Sequence, residues 1–245
     1  MISGSHEYRI DIVTEKGCPY FISSEEPTEF NYVICANIYG RRMFSATHHA
    51  ENNTFQAVGK VTSYYLRLVD NAMEFGNTTI KTLGYEKKLA SPNRELFAAC
   101  QLSPIYEALF DKDRPVQKFL DQLPYEYEDE KFFWTKDMLV ISAARIDPSH
   151  RGKGLSLCAI SAIIRGYKES IRKYAGDDII IAIKPEPLLL SENERTAGKQ
   201  GETFVSSKKK LQDYYADLGF NEVIGTGVYV MTYDQLNGDV DDFLK

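Results

Sequence analysis

MLVISAARIDPSHRGKGLSLCAISAIIRGYKESIRKY, residues Met138 to Tyr174, passes from an apolar run through a glycine-rich turn into a helical pattern. A backbone arranged in that order binds phosphates. Arg151-Gly152-Lys153-Gly154 removes two Cβ atoms where the chain has to come close to a ligand. A helix starting near Leu155 then turns its free N–H groups and positive dipole end to the same point. The two cations beside those amides add attraction for a diphosphate. Gly-x-x-x-x-Gly-Lys-Ser/Thr is absent, and so is Gly-x-Gly-x-x-Gly after a first strand, which removes the triphosphate loop and the dinucleotide fingerprint. The plainer alternative makes Gly152 and Gly154 turn residues between a buried strand and a buried helix, and the flanking pattern favours the phosphate loop over it.

On either side of this stretch the chain alternates in type. Met138 to Ile146 is apolar nearly throughout, as expected of a strand in a parallel sheet covered on both faces. The helix expected over Leu155 to Tyr174 is ~30 Å long at ~1.5 Å per residue. Ile179 to Ile183 reads as a second buried strand, stopped by Pro185 and Pro187, and strand-helix-strand order demands a right-handed parallel unit. Upstream, Tyr8 to Val13, Tyr32 to Tyr39 and Val58 to Val69 read as strands. Ser91 to Leu123 carries apolar residues at three- and four-residue spacing, broken at Pro104 and Pro115, and predicts a packed helical hairpin. Leu188 to Val205 is a long polar link of the kind that forms lids. A helix is expected from near Lys208, and the chain ends with a hairpin turning at Gly225-Thr226-Gly227.

The segment Ile146-Asp147-Pro148-Ser149-His150-Arg151-Gly152-Lys153-Gly154-Leu155-Ser156 resembles the acetyl-CoA-binding motif of the GNAT superfamily of N-acetyltransferases, Gln/Arg-x-x-Gly-x-Gly/Ala after a strand. Ser156 departs from it at the small-residue position. A second block in the right order, Tyr215-Ala216-Asp217-Leu218-Gly219-Phe220, resembles the Tyr-x-x-x-Gly-Phe signature of the same family. Gly219 and Phe220 also suit a helix stop. Lys184-Pro185-Glu186-Pro187-Leu188 is similar to a sequence in some bacterial members.

The resemblance implies an α/β GNAT (acyl-CoA N-acyltransferase) fold, a mixed central sheet whose parallel central strands splay apart and are flanked by helices. It implies one domain over 1–245: an acceptor-side part over 1–135, an acetyl-CoA-binding core over 136–235 and a tail over 236–245. Backbone groups of Ala144 and Ile146 would hold the pantetheine and the acetyl carbonyl. Arg151, Gly152, Lys153, Gly154, Leu155 and Ser156 would hold the pyrophosphate. Tyr215 would donate a proton to the departing thiolate, a phenol of ordinary pKa ~10 being protonated at neutral pH; Tyr214 is its adjacent rival. The implied activity is transfer of acetyl from acetyl-CoA to a primary amine by direct attack in a ternary complex. The other reading is a non-catalytic acyl-CoA-binding regulatory domain, since the strand before the glycine loop carries Ser142 and Arg145 but no acid. Asp137 is the nearest carboxylate there, and a water relay or an acid from the first half of the chain stays open. Lys208 falls where many members have an asparagine that touches the coenzyme.

The 245 residues are 43% hydrophobic and 12% aromatic, enough for a substantial core. Acids outnumber bases by 35 to 29, which argues against wholesale nucleic-acid binding. The resemblance implies a small-molecule or peptide amine as the partner, and a homodimer stays open. Cys18, Cys35, Cys100 and Cys158 are too far apart for a zinc site or a disulfide framework, so buried thiols are expected. His48-His49 reads as a surface pair, and no metal is expected. The acidic run Tyr125 to Lys131 reads as a solvated loop. With neither a signal peptide nor eighteen consecutive apolar residues, a cytoplasmic location is the expectation.

Overall fold

The computed structural model describes residues 6–16, 32–42, 54–68, 79–82, 85–88, 94, 97–98, 100–112, 114–124, 137–170, 179–186 and 202–236. Three long strands open the chain: β1 (His6–Lys16), β2 (Tyr32–Arg42) and β3 (Gln56–Arg67). A small separate pair follows, β4 (Thr79–Thr82) with β5 (Tyr85–Lys88). Next come helix α1 (Ser103–Leu109), the two-residue strands β6 (Phe110–Asp111) and β7 (Arg114–Pro115), and the single turn α2 (Gln117–Leu120). The chain then enters β8 (Asp137–Ile146), α3 (Leu155–Ser170), β9 (Ile179–Ile183), α4 (Glu202–Asp217), β10 (Asn221–Val223) and β11 (Val228–Thr232). Seven strands form one mixed sheet in the order β1-β2-β3-β8-β9-β11-β10; among its pairings only β8 with β9 is parallel.

That single parallel pair follows from the chain order, because α3 carries β8 back to start β9 in the same direction while every other neighbour reverses. The apolar run of β8 has its expected cause: Met138 to Ile141 are all buried, with cores on both sides of the sheet. One core holds α3 and α4 against Leu139, Ile141, Ile179, Ile181 and Ile183. The other holds α1 and the following turn against Leu66, Met138, Val140, Ile180 and Ala182.

Two expectations need correction. Among the described residues of 91–123 the expected helical hairpin gives way to a tight reversal from Phe110 on: Arg94, Phe97 and Ala98 are helical and Pro104 opens the short α1, but Pro115 sits in the two-residue ladder with Phe110. Proline lacks the N–H that continuing a helix requires, and the apolar spacing is met by Ile105, Tyr106, Leu109, Phe110 and Phe119 packing in one core around a tight reversal. Helix α4 starts at Glu202, six residues before Lys208, and takes in the last residues of the expected polar link. The strand expectations upstream and the terminal hairpin are met, and Cys35, Cys100 and Cys158 are buried thiols outside any disulfide. Cys18, His48-His49, Tyr125 to Lys131, Leu188 to Gly201 and residues 171–174 and 237–245 lie outside the described residues.

Candidate functional site

The site begins where two ladders fail. Ile141 pairs with Ile183, and there the β8–β9 ladder stops, although β8 runs on to Ile146. On its other edge β8 stays paired with β3, but Ser63 faces Ile141 and Thr62 faces Ala143, so Ser142 is an extra, bulged residue. The Ser142 hydroxyl donates to the Thr62 carbonyl at 3.0 Å. Beyond the bulge, the backbone edge of residues 142–146 that faces β9 has no ladder partner among the described residues. It borders a cleft of about 990 Å³ whose opposite wall is Ile183 to Glu186. That volume lies at the upper end of the range for small-molecule sites, ~300–1,000 Å³.

One end of the cleft is the glycine loop. Gly152 and Gly154 both have φ of +72°, a conformation in which a side chain is strained, and a Cβ on Gly152 would stand in open space. The Cys158 N–H donates to the Gly154 carbonyl at 3.1 Å, the first bond of α3. Leu155, Ser156 and Leu157 therefore have N–H groups without an intrahelical acceptor, at the positive end of a 16-residue helix. Gly152, Gly154, Leu155 and Ser156 all line the cleft.

A residue with no sequence signal braces this loop. Tyr8, 142 positions away on β1, shares a hydrogen bond of 3.1 Å with His150 Nδ1, and the Lys153 ammonium donates to its hydroxyl at 2.8 Å. Lysine can only donate, so the Tyr8 hydroxyl accepts from Lys153, and the tautomer of His150 sets which partner donates in the other bond. The His150 ring stands edge-on to Tyr8 at 5.8 Å. The Arg151 Nε donates to the Ile146 carbonyl at 2.9 Å, and the Asp147 N–H donates to the Val58 carbonyl at 2.8 Å. Arg151 lines the cleft; the Lys153 side chain turns to Tyr8 and does not.

Helix α4 supplies another wall through Ser207, Lys210, Leu211, Tyr214 and Tyr215. Tyr215 is 4% exposed whereas Tyr214 is 43% exposed. Burial pushes the Tyr215 phenol up to about 12. The helix stops as its sequence directs: Gly219 has φ of +104°, and the Phe220 N–H returns to the Tyr215 carbonyl at 3.1 Å. The Phe220 ring then packs edge-on against Tyr215 at 5.9 Å, so the stop signal also fixes the tyrosine. The side chain of Lys208 reaches toward Gly227 of the terminal hairpin, and Lys208 does not line the cleft.

From the other face of the sheet, Gln101, Leu102, Pro104 and Ile105 close the cleft. Gln101 has φ of +59°, unusual for a residue with a side chain. Asp137 is buried at the far end of β8, accepts a hydrogen bond from the Tyr65 hydroxyl and does not line the cleft. Five residues of strand, ~16 Å, separate it from Ser142. Glu186, which carries no family signature, is the carboxylate on the cleft wall, with Oε1 3.7 Å from the Lys184 ammonium. Among the described residues no group of three His, Cys, Asp or Glu side chains is placed to hold a metal, and no helix is long and apolar enough to cross a membrane. Comparison of the chain with protein-family models, curated proteins and solved structures finds no match.

Proposed function

We propose that this chain is an N-acetyltransferase of the GNAT type, which moves acetyl from acetyl-CoA to a primary amine by direct attack in a ternary complex. The observation that carries the reading is the gap between β8 and β9, which opens directly above the last parallel pair, Ile141 with Ile183, and ends at the glycine loop and the start of α3. An extended arm bearing amides can bond the free strand edge around Ala144 and Ile146 as a further strand would. The loop amides, Arg151 and Lys210 suit the phosphates at the outer end.

In the transfer the amine nitrogen forms a bond to the acetyl carbon, the carbon–sulfur bond breaks, and the amine loses a proton. Tyr215, held protonated by burial, gives a proton to the departing thiolate. Glu186, the carboxylate on the wall, takes the amine proton directly or through water. A non-catalytic acyl-CoA-binding domain is the second reading, favoured by the exposure and ion pairing of that one carboxylate. Calorimetric titration with acetyl-CoA, repeated on Gly154→Trp, tests the coenzyme site. Binding that is lost in the variant supports it, and no binding by the unaltered protein sinks both readings. Thiol release with an amine panel then separates enzyme from binding domain.

A further inference from the structure

The face of the cleft away from α3 and α4 carries a charge pattern that the coenzyme does not use. Along β3, Lys60, Thr62, Tyr64 and Leu66 alternate onto the α1 side, where Leu66 and Tyr64 join the core around α1. Past the Ser142 bulge, Ala144 and Ile146 pack on the α3 side, which puts Ala143 and Arg145 on the α1 side. The register sets Lys60 directly opposite Arg145, and the other neighbour of Lys60 on that face is Asn37. Two cations directly opposite one another destabilise a sheet. Among the described residues neither is given an acidic partner, although acids outnumber bases in the chain.

Arg145 itself lines the cleft, and so does Lys184 on the diverging strand, which continues the alternation of Ile180 and Ala182 onto the α1 side. Lys184 pairs with Glu186 at 3.7 Å, a partly exposed ion pair of the weak kind that an incoming anion can replace or join. The phosphate-side cations, Arg151 and Lys210, belong to the loop and to α4 on the other face. The α1 side thus presents Arg145 and Lys184, backed by Lys60, around one carboxylate and the polar Gln101.

Resting on the acetyl-transfer reading, we infer that the acceptor is an amine bearing its own carboxylate or phosphate, gripped by Arg145 and Lys184 on the α1 side of the cleft. Arginine offers a planar fork that matches either anion. The approach is opposite in sign to the cationic acceptor that an acidic surface would draw.

The test uses the full chain with two readouts. Calorimetry with acetyl-CoA establishes the coenzyme site. Thiol release is then followed with the common α-amino acids and phosphoethanolamine, each against the amine lacking its anionic group. The expected result is a kcat/KM at least tenfold higher for an amine that bears the anionic group than for its counterpart without it. Arg145→Gln should raise that acceptor's KM at least tenfold and leave the acetyl-CoA Kd within about twofold. The carboxylate and phosphate arms show which anion is taken. Turnover of amines without the anionic group at equal or higher kcat/KM, turnover of no amine that bears one, or an unchanged KM in Arg145→Gln with the coenzyme bound overturns the inference alone. Failure of the unaltered chain to bind acetyl-CoA overturns the acetyl-transfer reading and this inference with it.

Discussion

Replacing Tyr215 by phenylalanine isolates one proton. The ring is 4% exposed and packs edge-on against Phe220, so Tyr215→Phe keeps the shape of the wall and removes only the hydroxyl. No described group hydrogen-bonds that hydroxyl, so its removal should change stability by under ~1 kcal/mol. General-acid groups contribute ~10²- to 10⁴-fold to rate, or ~3 to 6 kcal/mol at ~1.4 kcal/mol per tenfold. The lower figure is apt here, because burial holds the phenol at about 12 and makes it a weak acid toward a thiolate, ordinarily ~8.5. Single-turnover thiol release should therefore slow by roughly 100-fold. The acetyl-CoA Kd from calorimetry and the denaturation midpoint should stay close to those of the parent. An unchanged single-turnover rate would refute the assignment of the proton to Tyr215. A collapse of coenzyme affinity would show instead that the hydroxyl holds the ligand.

Three further outcomes follow from the geometry. Gly59→Ala would put a Cβ 2.7 Å from the Arg145 carbonyl oxygen and from Ile146 Cδ1. Since that oxygen belongs to the backbone, β3 and β8 must shift, with a loss of ~1–3 kcal/mol in urea unfolding and weaker coenzyme binding. Gly152→Ala meets open space but stays at φ of +72°, so thermal unfolding should show a loss of only ~1–2 kcal/mol. Its acetyl-CoA affinity should fall further than that stability change suggests if the loop amides are the binding groups. Burial raises the Tyr65, Tyr167 and Tyr215 phenols above their ordinary 10.0 on folding, helped at Tyr65 and Tyr167 by the Asp137 charge. Below pH 10 both folded and unfolded chains keep these protons and the stabilisation is complete. Above it the unfolded chain releases them first, so stability falls as pH rises, and Tyr215 alone loses ~3 kcal/mol over its shift from 10.0 to about 12. Urea titrations between pH 8 and 11 that show no decline would contradict this.

The sequence carried the parts of the site that are local. Strand, glycine loop and helix lie within one run of residues, so turn chemistry and apolar spacing were enough to place Gly152, Gly154, Leu155 and Ser156 together. Gly219 and Phe220 likewise mark the end of α4, whose start lies six residues before the expected one because Glu202 to Ser207 is too polar to show helical spacing. Tyr8 was illegible, because its partners His150 and Lys153 are brought to it by β1 pairing at the sheet edge, a contact over 142 residues.

The Ser142 bulge was hidden for a different reason, and it is what gives the cleft two chemically distinct faces. An apolar strand reads the same whether or not one residue is left unpaired, yet the extra residue shifts the later alternation by one. Without it, Arg145 would fall on the α3 side with Ile141 and Leu139, and Ala144 would turn to α1. With it, two small or apolar residues, Ala144 and Ile146, face α3, and Arg145 stands across the sheet beside Lys60. One inserted residue thus fixes on which side of the sheet the cation of β8 stands, and the proposed division of the cleft into a phosphate-binding face and an anion-gripping face rests on it.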